Sequence, residues 1–332
     1  MVTRLATALD QYKALTEGVA VVERPGVGRL RLSGKDALDL LDRLSTNDLT
    51  ALKPGEGVST VLTTNKGRTI DLLTVAKLDD HLLALCSRDA VERVIEWIDF
   101  YTFEEDITVE DLTSTTAIAG LAGPDAANAV RRLAGDAAAD LPPYGVIEAE
   151  IAGVAVTIAR SDFVREAGYE FVAADADGPV LQEALVGAAE SAGPEALEAT
   201  RIERGVPAFG SELNEDRNPL EAGLIDSISF NKGCYVGQEV VARLNTYDKV
   251  QRRLGVLSWA EGHVLVGDEV APKAAPGGGT TGDGATVGSI TSVARHPNGG
   301  YVGLAFVKRA FEETEVAIGP SGIVATLQPA AQ

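Results

Sequence analysis

Residues 34–44, GKDALDLLDRL, and residues 123–133, GPDAANAVRRL, share one pattern. Each runs Gly-x-Asp-Ala, then alanine and leucine at helical spacing, then Arg-Leu at matching offsets. Each also follows a short apolar stretch, GRLRLS or TAIAGLA, that reads as a strand. Gly-x-Asp suits a turn into a helix. Pro124 is tolerated in the first helical turn, where its missing N–H costs no intrahelical hydrogen bond. The body of the chain is therefore expected to contain two related strand–turn–helix halves.

Between the repeats, GVSTVLTTNKGRTIDLLTVAKLDDHLLALCS reads as three strands, with NKGR and KLDDH as the hairpin turns. DAVERVIEWIDFY follows as an amphipathic helix with Val91, Val94, Ile95 and Ile98 on one face. After the second repeat, EAEIAGVAVTIAR and YEFVAAD read as strands, and GPVLQEALVGAAESAG as a helix. ALEATRIERG is a further helix, closed by Gly205. From about residue 250 the pattern changes. RRLGVLSW, ATVGSITSVAR, GYVGLAFVK, TEVAIG and GIVATLQP alternate as short strands between glycine-rich turns, which predicts a small barrel or sandwich.

Composition bounds the function. The 332 residues are 45% hydrophobic, enough to bury cores for two or three domains. Apolar runs fall far short of a membrane span, and the N-terminal stretch has no signal-peptide core, so no membrane role and a cytoplasmic location are expected. The formal net charge of −20 argues against nucleic acid as a partner, because phosphate binding needs clustered cations. The acidity reads as a solvated surface, with salt adaptation left open and a basic partner protein as the alternative. GVGRLR lacks the third glycine of a dinucleotide fingerprint. PGGGTTGDG is a loop with no Gly-Lys-Ser/Thr behind it. DADG lacks the downstream glutamate of a calcium loop, and the three histidines form no zinc pattern.

The two cysteines, Cys86 and Cys234, make neither a disulfide framework nor a cysteine-only zinc site. Cys86, in the apolar HLLALCSRD, reads as core filler. Cys234 sits in NKGCYVGQEVVARL, a glycine-rich turn ahead of a helix. A helix start and the neighbouring Lys232 both favour the thiolate, whereas Glu239 opposes it. On residue types alone, a reactive thiol and a packed small hydrophobe both remain open.

KGCYVGQE resembles the signature of the YgfZ-type folate-binding proteins, relatives of the glycine-cleavage T-protein (GcvT, aminomethyltransferase). All seven positions of Lys-Gly-Cys-aromatic-x-Gly-Gln-Glu match: Lys232, Gly233, Cys234, Tyr235, Gly237, Gln238 and Glu239. STNDLTALKPGEG, TNKGRTIDLL, LAGPDAANAV, REAGYEF, TRIERGVPAFGSELNEDRNPLEAGL and GSITSVAR resemble successive T-protein segments along nearly the whole chain. The resemblance implies an α+β fold with two pseudo-symmetric, intertwined α+β subdomains around a central folate channel over residues 1–245. A C-terminal β-barrel would follow over residues 246–332.

It also implies roles. Tetrahydrofolate or a derivative would bind in the channel. Glu170 of REAGYEF matches the glutamate that accepts hydrogen bonds from the pterin. Asp71 occupies the first position of the T-protein's Asp-Asp pair, one acid of which lies near the folate nitrogen that takes the one-carbon unit; here the pair reads Asp71-Leu72. Adjacent strand residues face opposite sides, so the acid role survives only if Asp71 faces the channel. Asn65 and Lys66, in the hairpin, are candidate pocket residues. Lys232 and Tyr235, which flank the motif thiol, and Arg201 would also contact the bound folate; Arg201 and Glu203 match the family's Arg-Leu-Glu, although an internal helix ion pair accounts for them equally. Leu197-Glu198 stands where aminomethyltransferases carry Arg-Asp.

Three functions follow from the resemblance. The first is a folate-binding protein supporting iron–sulfur cluster assembly or repair, with Cys234 at the channel mouth and iron–sulfur client or assembly proteins as partners. One cysteine cannot hold a cluster alone, so any iron ligation by Cys234 is transient and shared with a partner. The second is a tetrahydrofolate-dependent aminomethyl- or methyltransferase. The third is a folate carrier in which Cys234 only packs.

Overall fold

The computed structural model describes residues 6–161, 163–164, 168–273 and 286–330. The loop PGGGTTGDG and the first residues of REAGYEF, Arg165 to Ala167, lie outside the described residues.

The first half runs α1 (Ala8–Glu17), β1 (Ala20–Glu23), β2 (Val27–Ser33), α2 (Ala37–Leu44), β3 (Gly57–Thr63), β4 (Thr69–Lys77), β5 (Leu82–Ser87), α3 (Val91–Phe100) and β6 (Thr108–Asp111). The second runs β7 (Thr116–Ala122), α4 (Ala126–Ala134), α5 (Asp136–Ala139), β8 (Val146–Ile151), β9 (Val154–Ser161), β10 (Gly168–Ala174), α6 (Gly178–Ala188), β11 (Glu190–Ala192) and α7 (Pro194–Glu203).

The two sequence repeats form the same local structure. Gly34 and Gly123 take φ of +105° and +123°, which a side chain resists. A Cβ on Gly34 would sit 2.1 Å from Asp106 O, and one on Gly123 would sit 2.4 Å from Gly18 O. The same carbonyls accept from Asp36 N (3.2 Å) and Asp125 N (2.9 Å), so each turn is docked on the chain entering the other half. The helices then bury one stripe: Ala37, Leu40, Leu41 and Leu44 in α2, and Ala126, Ala129 and Val130 in α4.

The sheets carry the repeat further. One has the order β3-β4-β5-β2-β6, and the other β8-β9-β10-β7-β1-β11. The strand preceding β2 in the chain, β1, pairs with β7; the strand preceding β7, β6, pairs with β2. The halves have exchanged edge strands and are intertwined. The sheets meet through Val27, Leu83 and Leu85 of the first and Val146 and Ala159 of the second. Residues 190–192, expected at the end of a helix, instead form β11, which pairs parallel with β1 and satisfies the backbone edge that β1 exposes.

After α8 (Gln238–Thr246), six strands close into a barrel: β12 (Arg252–Trp259), β13 (Glu269–Pro272), β14 (Gly288–Arg295), β15 (Tyr301–Lys308), β16 (Glu315–Ile318) and β17 (Ile323–Pro329). Closure pairs each described barrel strand on both sides. Five of these strands are visible as alternating runs in the sequence. The sixth, β13, is four residues ending in proline and carries too little pattern to be recognised. Leu304 and Phe306 of the barrel pack with Ile202 of α7 and Val61 of β3, which joins barrel and body in one core. Among the described residues, no helix is long and apolar enough to cross a membrane.

Candidate functional site

A cavity of about 410 Å³ lies between the two sheets. Its apolar walls include Val27, Leu72 and Leu85, and the loop carrying Phe209 and Leu213 covers one side.

Glu170 reaches this cavity from the middle of β10, where it sits opposite Gly120 of β7 and Ala159 of β9. It is 2% exposed. Arg24 Nε meets its Oε1 at 2.8 Å, and the Arg24 guanidinium stacks 4.0 Å over the Phe163 ring. Gly120 makes room for this arrangement, since a Cβ there would lie 3.0 Å from the Phe163 ring. Among the described residues, Glu170 Oε2 takes no hydrogen bond, so half of a desolvated carboxylate remains available to a ligand. A second cavity, of about 640 Å³, shares Arg24, Phe163 and Arg201 with the first, so the Arg24–Phe163 stack stands between them.

Strand alternation settles the Asp71-Leu72 pair. Leu72 and Thr74 line the cavity, whereas Asp71, like Leu73 and Val75, is turned away from it and fully buried. Asp71 accepts from Ser87 N at 2.7 Å and from Ser87 Oγ at 2.8 Å. Burial pushes its pKa up to about 6, against the opposing pull of these hydrogen bonds. Asp71 therefore does not itself present an acid to the cavity; Ser87, which does line it, stands between.

Arg201 borders both cavities, but its guanidinium is committed. It binds Glu198 at 2.6 and 2.8 Å, Val206 O at 2.6 Å, Ser292 Oγ at 2.9 Å and Glu212 Oε2 at 3.4 Å. Its helix partner is thus Glu198, one turn earlier, rather than Glu203. Glu203 instead accepts from Tyr12 OH at 2.7 Å and lies 3.6 Å from His296 Nε2. Glu212 is fully buried and also accepts from Ala208 N (3.0 Å) and Ser292 Oγ (2.8 Å). It ties α7, the cavity-covering loop and barrel strand β14 together. Sequence reasoning missed Glu212, because its partners come from three separate elements and leave no local spacing.

The KGCYVGQE segment lies elsewhere. None of residues 231–239 lines the cavity. Lys232 Nζ binds Asp42 Oδ1 at 2.9 Å and the carbonyls of Asp42, Ser45 and Asn47 at 2.6, 3.0 and 2.6 Å. Its ammonium therefore caps the end of α2 and is not aimed at the Cys234 thiol. Burial lowers the Lys232 pKa, outweighing the attraction of Asp42. Tyr235 is buried beneath this ammonium, with its ring centroid 5.5 Å from Nζ. Gly237, at φ +88°, approaches the β3–β4 hairpin so closely that a Cβ would lie 2.5 Å from Thr64 O. The motif's lysine, aromatic and glycine thus hold the segment against α2 and the hairpin, and Cys234 is left exposed. Asn65, at the exposed tip of that hairpin, lines no part of the cavity. Cys86 is buried in the core of the first half, as expected, and burial pushes its thiol pKa up. Among the described residues, no three His, Cys, Asp or Glu side chains gather as a metal site.

Two strand-exchanged α+β halves enclosing an inter-sheet cavity, with a closed barrel behind them, define a protein of the aminomethyltransferase fold. The crystal structure of the glycine cleavage system aminomethyltransferase T from Bartonella henselae superposes with a TM-score of 0.80, covering 98% of this chain and 88% of that one at 20% identity. The model of the GCVT N-terminal domain matches residues 4–232, and the chain belongs to that family. It is 34% identical over 309 residues to a putative chloroplastic transferase of Arabidopsis thaliana, covering 91% of this chain and 67% of that one. It is 27% identical over 328 residues to an aminomethyltransferase of Thermotoga petrophila, covering 96% and 87%.

Proposed function

We propose that this protein binds a reduced folate in the inter-sheet cavity and supports iron–sulfur cluster assembly or repair through Cys234. The observation that carries the folate reading is the buried Glu170 carboxylate on the cavity wall, one oxygen of which takes no hydrogen bond among the described residues. A pterin amino group and ring N–H need such an acceptor once they leave water. The volume of about 410 Å³ and the apolar walls suit a heterocycle. Two features favour binding without aminomethyl transfer. Leu72 occupies the cavity-facing place where the family carries an acid, and Leu197 occupies the place of the family's arginine. The position of Cys234, exposed and outside the cavity, favours work on a partner protein over work on the folate. One thiolate supplies one ligand, so a client or assembly protein provides the others.

Calorimetry with tetrahydrofolate tests the first half. Glu170→Ala is expected to weaken binding by about 10- to 100-fold, the cost of leaving buried pterin donors unpaired. Absence of binding by the unaltered protein sinks the reading. For the second half, cells lacking the gene are expected to lose activity of iron–sulfur enzymes, and Cys234→Ala is expected not to restore it. Full restoration by that variant rejects a role for the thiol and leaves a folate carrier.

A second reading, a tetrahydrofolate-dependent aminomethyltransferase, is favoured by the relatives that bear that name. Formation of methylenetetrahydrofolate by the purified protein from an aminomethyl donor would establish it in place of the first.

A further inference from the structure

Asp71 is turned away from the cavity, yet it is coupled to it through one hydroxyl. Its Oδ1 lies 2.8 Å from Ser87 Oγ, its Oδ2 holds Ser87 N at 2.7 Å, and Ser87 lines the cavity. The backbone bond fixes which carboxylate oxygen faces the hydroxyl. An ionised carboxylate can only accept, so the Ser87 hydroxyl proton must then point at Oδ1, leaving oxygen lone pairs for the cavity. A proton on Oδ1 reverses the bond. The acid then donates to Oγ, and the Ser87 hydrogen is released toward the cavity.

We propose that Ser87 is a ligand-contacting specificity residue and that Asp71 is a positioning residue that sets the polarity of its hydroxyl. With Asp71 ionised, Ser87 selects a ligand that presents an N–H; with Asp71 protonated, its released hydrogen also serves one that presents a bare nitrogen acceptor. Resting on the folate reading above, this assigns Ser87 to the pterin's reducible ring. A tetrahydropterin carries N–H donors at the two ring nitrogens where a fully oxidised pterin carries acceptors. The cavity therefore prefers reduced over oxidised folate when Asp71 is charged, and loses that preference when it is not.

The charged groups around the pair leave Asp71 free to titrate. Cys86 lies beside it on β5, with Arg29 of β2 and Asp111 of β6 beyond. The Arg29 guanidinium is spent on Val27 O and on Thr116 Oγ1 and O. Arg88 and Asp89, which follow Ser87, are exposed, and Arg93 of α3 pairs with Glu215. Among the described residues, no cation pairs with Asp71. Its protonation midpoint, raised by burial to about 6, places the reversal within a measurable range.

The test is calorimetric affinity for tetrahydrofolate and for folic acid at pH 7.5 and pH 5, on the full chain and on Ser87→Ala and Asp71→Asn. In the unaltered protein, the reduced-to-oxidised affinity ratio is expected to fall about tenfold between the two pH values, the worth of one hydrogen bond made or opposed. Ser87→Ala is expected to make the ratio independent of pH. Asp71→Asn is expected to hold it near its acid value at both, because the carboxamide N–H₂ donates permanently to Oγ. A ratio that does not change with pH in the unaltered protein overturns the proposal, as does an Asp71→Asn variant that keeps the full pH response. Binding of neither folate overturns the folate reading and this assignment together. Separately, the infrared carboxyl stretch lost in Asp71→Asn should titrate near 6; titration near the ordinary aspartate value overturns the coupling whatever the ligand.

Discussion

Lys232→Met is expected to lower the stability of the protein by about 3–5 kcal/mol, the scale for breaking a buried, hydrogen-bonded ion pair on one side. The side chain is 1% exposed, and its ammonium is surrounded by Asp42 Oδ1 and three carbonyls. Methionine fills a similar volume but returns none of these bonds. Among the described residues, it leaves the Asp42 carboxylate with only the Leu49 N–H that it already accepts at 2.8 Å. It also strips the cation from a helix C-terminus, where the aligned carbonyls carry partial negative charge. Guanidinium unfolding reads the loss, and amide exchange should localise it to α2 and the 231–239 segment. A loss below about 1 kcal/mol would mean that the lysine is held for another purpose, such as contact with a bound partner.

Glu212→Ala is expected to cost a similar amount, about 3–5 kcal/mol. The residue is fully buried, and its removal strands two donors, Ser292 Oγ and Ala208 N, while the Arg201 arm that reached it keeps only Val206 O. Arg201 keeps Glu198, whose side chain is 46% exposed and so compensates less. The damage should also reach function, because Ala208 and Phe209 belong to the loop that covers the cavity. Folate affinity is expected to fall together with stability. Glu212→Gln is expected to recover part of both, because an amide oxygen still accepts from Ala208 N. Equal stability of the alanine variant and the unaltered protein would refute the role given to this junction.

Much of the architecture was legible in the residues. The Gly-x-Asp-Ala repeats located two equivalent turns whose glycines do require positive φ. The α3 face and five of the six barrel strands followed from hydrophobic period alone. Less legible was what the strands do with one another. β1 and β6 are four residues each, too short to encode a partner, and their exchange between halves depends on pairings about 75 to 100 residues apart. The site divided in the same way. Glu170 and Arg201 were found by motif and do border the cavity, whereas Cys234, Lys232, Tyr235 and Asn65 were found by motif and do not. A motif records that residues are needed together without recording whether they hold a ligand or hold the chain.

The sequence by itself determined the duplicated body, the barrel, membership of the wider GCVT family and the identity of the acids and thiol available for chemistry. These are properties of local spacing and residue type, which survive without knowledge of distant contacts. Only the tertiary structure decided that Leu72 and not Asp71 faces the cavity, that Ser87 stands between that acid and a ligand, and that the Lys232 ammonium turns to α2 and away from the thiol. The direction of a side chain depends on which strand or carbonyl is brought alongside it, and those neighbours come from segments far away in the chain.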